Sequence, residues 1–361
     1  MSEMLQLLVN TGSHTCKLVL CTPAGEVRQK WRLEGTTLPT SPRQWLHALE
    51  APVIATVHRL VHGGDVLTAA ASWSSSLDEA LRPFDALAPL HNPQARQWAR
   101  ACALRWPDAQ HCLVPDTGFF AQLPDVSRTL PLPSPMRARY GLHRYGFHGL
   151  AHSALWQQLQ RQAPEVARGR VVTLQLGGGC SAAAIRNGQP IDTSMSFTPL
   201  AGLVMATRPG DLDPGVLLHL LRSGLTVAEI EEMLTHESGL KGLSGGSDDM
   251  RELLASSNAG AQLAIAQFCQ RVRHYIGAYA ATLGGLDAVV FGGGIGEHAP
   301  VIRERICRGL DFLGVVLHGP TNASADGTAQ ISDSQSRVGV WVIRGDEEAE
   351  MLRLARPLLE S

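Results

Sequence analysis

"LQLGGGCSAAAIRNGQPID", residues 174–192, decides the fold of this chain. An apolar run breaks at three glycines and resumes, and an Asn187-Gly188 pair then marks a tight hairpin turn. Glycines after a strand let backbone N–H groups close around a phosphate, because no Cβ blocks the approach. In P-loop and dinucleotide motifs such a loop runs straight into a helix, whereas here a second strand follows. The stretch therefore predicts a phosphate loop within a β-meander.

The first forty residues show the same order of elements. The segments "LQLLVN", "KLVLCT" and "VRQKWRLE" read as strands, separated by the turns "TGS" and "PAGE". Since 361 residues exceed one ordinary core, two domains are expected, and the repeated meander predicts that they are duplicates.

Helix signals follow each meander. Asp213 and Pro214 predict the start of a helix that Gly224 ends, and Thr226 and Glu229 form a capping-box pattern. Residues 257–283 predict a long helix, and a C-terminal helix after Glu347 is expected to pack on the first domain. The Pro- and Arg-rich segment 124–145 is predicted to be the crossing between the halves.

Composition excludes several classes of partner. The net charge of −2 gives no footprint for nucleic acid, and no apolar stretch has the length of a membrane span. The seven cysteines form no C-x-x-C pair, which is typical of reduced thiols. The first residues lack a basic region followed by a long apolar one, so no signal peptide is expected. These features predict a cytoplasmic protein that binds neither nucleic acid nor membrane.

Polar side chains interrupt apolar or glycine-rich segments at several points. A fixed guanidinium can hold a carboxylate or phosphate, and a nearby histidine can stabilise developing charge. Taken singly, the histidines could equally be hydrogen-bonded turn residues, and Asp211 and Asp213 could equally be helix caps. The candidates are Arg59, His62, His91, Arg144, His148, His152, Arg208, Asp211 and Asp213.

Nine motifs in order make the chain similar to the acetate kinase family over nearly its whole length. They are "NTGSHTCK", "HRLVHGG", "LAPLHNP", "PDTGFFAQLP", "RYGFHG", "DTSMSFTPLAGLVMATRPGDLDP", "SGGSDDMR", "FGGGIGEH" and "DEE". The resemblance implies an α/β fold of duplicated actin-like ATPase (ribonuclease H-like) domains with mixed sheets and the nucleotide in the interdomain cleft. It implies a shortened first domain at 1–148 plus 346–361, and a second domain with the nucleotide pocket at 149–345.

The resemblance also implies catalytic roles. Arg59 and Arg208 would clamp the substrate carboxylate and the transferring phosphoryl group, where positioned cations lower the barrier. His148 would bond the same oxygens in the transition state, with His91 in support. Asp116 would orient either Arg59 or a metal-bound water.

Binding residues are implied in the same way. Arg59, Val61, Leu90, Phe147 and Pro199 would form the pocket for a small acid. Asn10 and Glu347 would be the polar partners of Mg²⁺, or of Mn²⁺ in its place. The nucleotide would contact Lys17, Ser13, Gln175, Leu176, Gly177, Gly178, Gly179, Asp249, Met250, Arg251, Gly293, Gly294, Ile295, Gly296 and Glu297.

The expected activity is that of an ATP-dependent acetate kinase in a homodimer, forming acetyl phosphate and ADP reversibly by in-line transfer. A propionate kinase or other short-chain acyl kinase is an alternative, as is a degenerate relative that binds nucleotide or acyl phosphate without turnover. Six residues depart from the usual family pattern: Gln175, Gly178, Phe120, Ala201, Ala151 and His298.

Overall fold

A computed structural model of the chain describes residues 3–12, 15–35 and 41–360. It divides into two compact units. Unit 1 comprises 1–121, 147–154 and 346–361, and unit 2 comprises 122–146 and 155–345. Residues 122–146 thus group with unit 2 and residues 149–154 with unit 1, the reverse of the assignment expected from the sequence.

Twelve strands in the described part of the chain form the two sheets. Those of unit 1 are β1 (Leu5–Thr11), β2 (Thr15–Cys21), β3 (Val27–Glu34), β4 (Val53–Leu60), β5 (Ala71–Ser72) and β6 (Gln110–Pro115). Those of unit 2 are β7 (Arg170–Leu176), β8 (Cys180–Arg186), β9 (Gln189–Thr193), β10 (Ala288–Gly292), β11 (Ala329–Gln330) and β12 (Gly339–Val342).

Sixteen α-helices lie between and after these strands, in the residues that the structure describes. The first eight are α1 (Pro42–Ala48), α2 (Ser75–Leu81), α3 (Asn92–Arg105), α4 (Asp125–Arg128), α5 (Ser134–Tyr140), α6 (Gly149–Gln162), α7 (Pro164–Ala167) and α8 (Pro214–Arg222). The others are α9 (Val227–Glu232), α10 (Gly239–Ser244), α11 (Met250–Ala255), α12 (Ala259–Leu283), α13 (Gly293–His298), α14 (Pro300–Cys307), α15 (Gly319–Ser324) and α16 (Glu347–Leu359). Short 3₁₀ turns span Arg82–Leu87, Asp116–Phe120 and Asp311–Leu313, and a π turn spans Met233–Glu237.

The two sheets have the same topology. Sheet 1 runs β3-β2-β1-β4-β6-β5 and sheet 2 runs β9-β8-β7-β10-β12-β11. In both, the first three strands are antiparallel, the next two join in parallel, and the last pairs antiparallel. The duplication predicted from the repeated meander is therefore confirmed.

Alternating side chains of sheet 1 pack on both of its faces. Leu5, Leu7 and Val9 of β1 join a cluster with Leu46 of α1 and Trp98 of α3. Leu8 points to the other face, where it packs with Met351, Leu352 and Ala355 of α16. Since successive side chains of a strand alternate between faces, an apolar β1 needs cover on both sides. The C-terminal helix provides one of these covers, as expected from the sequence.

Local signals in unit 2 also form the structures that they predict. Asn187 and Gly188 both have positive φ, 48° and 77°, as a hairpin turn of this kind requires. Asp213 caps α8 by accepting the Gly215 N–H, and Thr226 and Glu229 form the capping box of α9. No helix among the described residues is long and apolar enough to cross a membrane.

Candidate active site

The two ends of neighbouring parallel strands in unit 1 bring Arg59 and Asp116 together. Arg59 is the penultimate residue of β4, and Asp116 directly follows β6. Arg59 Nη2 donates to Asp116 Oδ2 at 2.8 Å, and Arg59 Nη1 donates to Asn10 Oδ1 at 3.1 Å. The Arg59 guanidinium is therefore held on two sides.

Burial and charge act against each other in this pair. Burial acts to lower the pKa of Arg59, but the charges of Asp116 and Glu347 outweigh it, and the pKa is raised. Burial likewise acts to raise the pKa of Asp116, and the charges of Arg59 and His148 lower it overall. Both groups therefore stay ionised at neutral pH.

Asp116 also fixes the backbone around His148. Its carboxylate accepts the His148 N–H at 3.0 Å and the Leu150 N–H at 3.1 Å, at the start of α6. His148 has a φ of 57°. A residue other than glycine adopts this left-handed backbone conformation only when its surroundings impose it. A Cβ on Gly149 would overlap the Asp116 carbonyl oxygen, so only glycine fits this approach. Arg59, Asp116 and His148 thus form one connected group.

The predicted metal partners, Asn10 and Glu347, also meet. Asn10 Nδ2 donates to Glu347 Oε2 at 3.0 Å and to Glu348 Oε1 at 2.7 Å. Lys17 Nζ lies 3.8 Å from Glu348 Oε1, and Lys17 is opposite Asn10 in the β1–β2 pairing. Among the described residues, no group of three or more His, Cys, Asp or Glu side chains could hold a metal ion. Ser13, predicted to contact the nucleotide, lies outside the described residues.

The residues of the predicted acid pocket belong to both units and differ in exposure. Val61 and Phe147 are buried in unit 1, whereas the Leu90 side chain is 42% exposed and Pro199 belongs to unit 2. His91 is the N-cap residue of α3.

The glycine hairpin of unit 2 joins β7 to β8. Gly177 N donates to Gly179 O at 3.2 Å, and Cys180 Sγ donates to Gly177 O at 3.1 Å, which closes the turn. Gly178 is exposed, and a Cβ added to it would meet nothing within 4 Å. Gln175 lies on β7 beside Gly292 of β10, and Leu176 is buried.

The second glycine loop of unit 2 lies against the first. Gly293 has a φ of 75°, and a Cβ there would come within 2.5 Å of the Leu176 carbonyl oxygen. Gly293, Gly294, Ile295, Gly296 and Glu297 form most of α13. Glu297 Oε1 accepts the Gly293 N–H at 3.2 Å, so the loop is closed on itself. Two glycine loops thus meet at the carboxyl ends of β7 and β10, where ligands of such sheets bind.

Arg208 lies on a loop bonded to the same hairpin. Ala206 N donates to Gly178 O at 3.0 Å, and Arg208 Nη1 donates to Pro199 O at 2.8 Å. Burial lowers the pKa of Arg208, and no carboxylate of the described residues lies within ion-pair distance of it. Arg59, by contrast, is paired with the carboxylate of Asp116.

The remaining predicted nucleotide residues lie at the start of α11. Asp249 caps this helix by accepting the Arg251 N–H at 2.7 Å, and it pairs with the Arg251 guanidinium at 2.5 Å. Hydrogen bonds from Arg251 lower the pKa of Asp249 to about 2. The Arg251 side chain is 91% exposed, and Met250 is buried.

Comparison with known proteins shows the family of this chain. Residues 36–353 match the model of the acetokinase family. The chain belongs to this family.

Relatives of the acetokinase family match over most of their length. The acetate kinase of Clavibacter sepedonicus is 41% identical over 309 residues, which cover 84% of this chain and 78% of the relative. The crystal structure of Porphyromonas gingivalis acetate kinase has a TM-score of 0.89 and 32% identity, and covers 99% of this chain and 100% of that one. A propionate kinase from Francisella tularensis subsp. tularensis has a TM-score of 0.87 and 31% identity, with 98% of each chain covered. The expected duplicated actin-like fold is thereby confirmed.

The six residues that depart from the acetokinase pattern differ in how deeply they are buried. Phe120 is buried in unit 1, and its ring packs edge-on against His152, 5.8 Å between centroids. Ala151 is buried on α6, whereas Gly178 and His298 are exposed. Gln175 and Ala201 are half-buried. These replacements leave the bonds of Arg59 and Asp116 in place.

The sequence analysis did not identify two polar residues that the structure shows in bonded contact with predicted site residues. Glu348 bonds Asn10 and lies near Lys17, and its only signal was its place in "DEE". Asn92 is fully buried and bonds both the N–H and the C=O of His62, at 3.0 and 2.9 Å. Its place in "LHNP" suggested a turn, and nothing local indicated a contact thirty residues away.

Proposed function

We propose that this chain is an acetate kinase, which transfers the γ-phosphoryl group of ATP to acetate and forms acetyl phosphate and ADP reversibly. The observation that carries this proposal is the guanidinium of Arg208. It is held beside a glycine hairpin without a carboxylate partner among the described residues. A half-buried cation without a counter-ion is partly desolvated at a cost, and a bound anion compensates it.

The chemistry needs little from the protein besides positioned charge. A carboxylate oxygen of acetate forms a bond to the γ-phosphorus, the bond from that phosphorus to the β–γ bridging oxygen breaks, and ADP leaves with the electron pair. Acetate is already ionised at neutral pH, so no base is required. Charge spreads over three phosphoryl oxygens in the transition state, where Arg208 and His148 would stabilise it.

The acceptor would bind at Arg59. Asp116 and Asn10 hold this guanidinium rigidly, and such preorganisation reduces the entropy lost when a small carboxylate binds. Asp116 would orient Arg59, and it fixes the His148 backbone at the same time. Val61, Leu90, Phe147 and Pro199 would enclose the methyl group, with His91 in support.

The donor would be bound by unit 2. The backbone of 175–179 would receive the phosphates, and residues 249–251 and 293–297 the adenosine. The short contact of Gly293 with Leu176 keeps the two loops adjacent. Lys17 and Ser13 would be the contribution of the first hairpin of unit 1.

The residues around Asn10 fit a divalent cation. Glu347 and Glu348 both accept from one nitrogen, Asn10 Nδ2, so their carboxylates converge on a single point. Mg²⁺ is bound in such sites by one or two carboxylates, waters and the phosphates of the substrate. Glu347 would hold Mg²⁺, or Mn²⁺, with Glu348 beside it and Asn10 orienting both carboxylates, and the ion would neutralise phosphate charge.

We further propose a homodimer in which α8 takes part. Not one of the nine residues of this helix is buried, although Val216, Leu218 and Leu221 are apolar and exposed. Exposed apolar faces of this kind mark interfaces. In equilibrium sedimentation, Leu218→Glu should yield monomer, whereas Val301→Glu, at another exposed valine, should stay dimeric. A monomeric wild type would contradict this.

We also place the protein in the cytoplasm. The seven cysteines are all buried thiols outside disulfides, which is in keeping with a reducing compartment.

The decisive experiment measures ADP by a coupled assay, and acyl phosphate by hydroxamate, with acetate, propionate and butyrate. Turnover with acetate above the other acids supports the proposal, and turnover highest with propionate favours a propionate kinase. A protein that binds ATP in calorimetry but forms neither product with any acid would be a non-catalytic binder. Arg208→Ala serves as the inactive control.

A further inference from the structure

We propose that Asp211 is a positioning residue for Arg208, through which it acts on phosphoryl transfer. This inference rests on the proposed role of Arg208. Asp211 ends the loop 202–211 that carries Arg208, and it is bonded to the first residue of that loop. Gly202 N donates to Asp211 Oδ1 at 2.8 Å, and Asp211 N donates to Gly202 O at 3.0 Å. The two ends of the loop are thereby joined.

Helix α12 holds this junction from the side. Arg271 and Tyr275 are four residues apart, so they lie on one face of the helix. Tyr275 Oη donates to the second carboxylate oxygen of Asp211 at 2.6 Å. Arg271 Nη1 donates to the carbonyl oxygens of both Gly202 and Asp211, each at 3.2 Å, and lies 3.5 Å from Asp211 Oδ2. Both carboxylate oxygens of Asp211 are therefore used.

The loop between the joined ends has little freedom to move. Met205 N donates to Arg208 O at 3.0 Å, and Leu240 N, at the start of α10, donates to Met205 O at 2.9 Å. A Cβ on Gly210 would overlap the Gly202 carbonyl oxygen, and one on Gly239 would overlap that of Met205. The base of the loop and its packing thus set the place of Arg208 relative to the glycine hairpin, to which Ala206 is bonded.

The second aspartate of the same segment provides a matched control. Asp213 has a local contact that Asp211 lacks: its carboxylate accepts the Gly215 N–H at 2.8 Å and caps α8. Loss of this cap affects a helix end and not the loop that carries Arg208. The two aspartates thus separate loss of stability from misplacement of Arg208.

The test compares Asp211→Asn, Tyr275→Phe and Asp213→Ala in kcat, both KM values and Tm. We expect Asp211→Asn and Tyr275→Phe to lower kcat by about 10- to 100-fold with KM for ATP and acetate little changed, because misplacement of a charged group by an ångström has effects of this size. Asp213→Ala should lower Tm, because it removes the cap of α8, and should leave kcat unchanged. Wild-type kcat in both Asp211→Asn and Tyr275→Phe would overturn the proposal.

A double-mutant cycle tests whether Asp211 acts through Arg208. If it does, Arg208→Ala with Asp211→Asn has the same kcat as Arg208→Ala alone, and the effects are not additive. Multiplying effects would overturn the positioning role. If Arg208→Ala keeps wild-type kcat, the proposed function has failed instead. If Arg208→Ala is inactive while the variants at 211 and 275 are fully active, only the present inference has failed.

Discussion

The carboxylate of Asp116 is bonded to the guanidinium of Arg59 over 2.8 Å, with the Asp116 side chain 1% and the Arg59 side chain 12% exposed. Removal of one partner from such a buried pair leaves the other charge uncompensated, which costs about 3–5 kcal/mol. The second arginine of the proposed site, Arg208, has no carboxylate partner among the described residues. Two arginines that look equivalent in the sequence therefore have different surroundings.

This difference separates the effects of two alanine variants. Arg59→Ala should raise the KM for acetate and lower Tm, because Asp116 is left buried without its partner. Arg208→Ala should lower kcat by about 100-fold or more, since its contacts strengthen in the transition state, with Tm nearly unchanged. Kinetics and melting are measured on the same preparations. An Arg208→Ala protein that melts early but turns over normally would mean that Arg208 only holds its loop in place.

In the proposed acid pocket, the space between the enclosing side chains would determine which acid is preferred. Each added methylene gains about 0.8 kcal/mol by burial but must fit between the enclosing side chains. We expect kcat/KM to be higher for acetate or propionate than for butyrate. Val61→Ala, at a buried position, should raise the propionate-to-acetate ratio, and Leu90→Ala, at an exposed one, should change it less. A wild type that prefers butyrate would contradict the pocket assignment.

The glycine loops of unit 2 differ in their tolerance of side chains. Gly293→Ala places a Cβ 2.5 Å from the Leu176 carbonyl oxygen at a φ of 75°, so we expect a higher KM for ATP and a lower Tm. A Cβ at Gly178 would meet nothing within 4 Å, and Gly277→Ala, in α12, is the control, because a Cβ there also meets nothing. Gly178→Asn, which adds an amide that can donate to a phosphate oxygen, should lower the KM for ATP. Gly293→Ala with wild-type kinetics and Tm would be evidence against a close fit of the loops.

Two buried histidines make stability depend on pH. Burial lowers the pKa of His58 and of His152 to about 3, so both rings stay neutral in the folded protein. The unfolded chain protonates each ring near pH 6.5 and thus binds more protons, so stability falls as the pH falls below that value. We expect the free energy of unfolding to fall by up to about 1.4 kcal/mol per pH unit for each ring.

Urea unfolding between about pH 6.5 and pH 5 measures this dependence, above the range in which most carboxylates titrate. His58→Gln should reduce the slope of the unfolding free energy against pH by the contribution of one imidazole ring. His274→Gln, at an exposed position, should leave the slope as it is. A wild-type slope near zero would show that neither buried ring matters.

Local pattern alone determined much of this protein. Apolar runs separated by turn residues predicted the strands of both meanders, Asn187-Gly188 predicted the hairpin, and Asp213 predicted the cap of α8. These features depend on side chains and dihedral angles within a few residues, so the order of amino acids is sufficient. The same reasoning supplied the glycine loops and the repeat from which the two matching sheets follow.

Only the tertiary structure decided which polar and charged side chains bond to each other. Asp116 meets Arg59 from 57 residues away, Asn10 meets Glu348 from 338 away, and Tyr275 bonds Asp211 from 64 away. Such contacts form where strands end and helices pack. A carboxylate or guanidinium has no local periodicity that reveals its partner. For the same reason the sequence predicted the helix cap at Asp213 but could not show that Asp211 closes a loop.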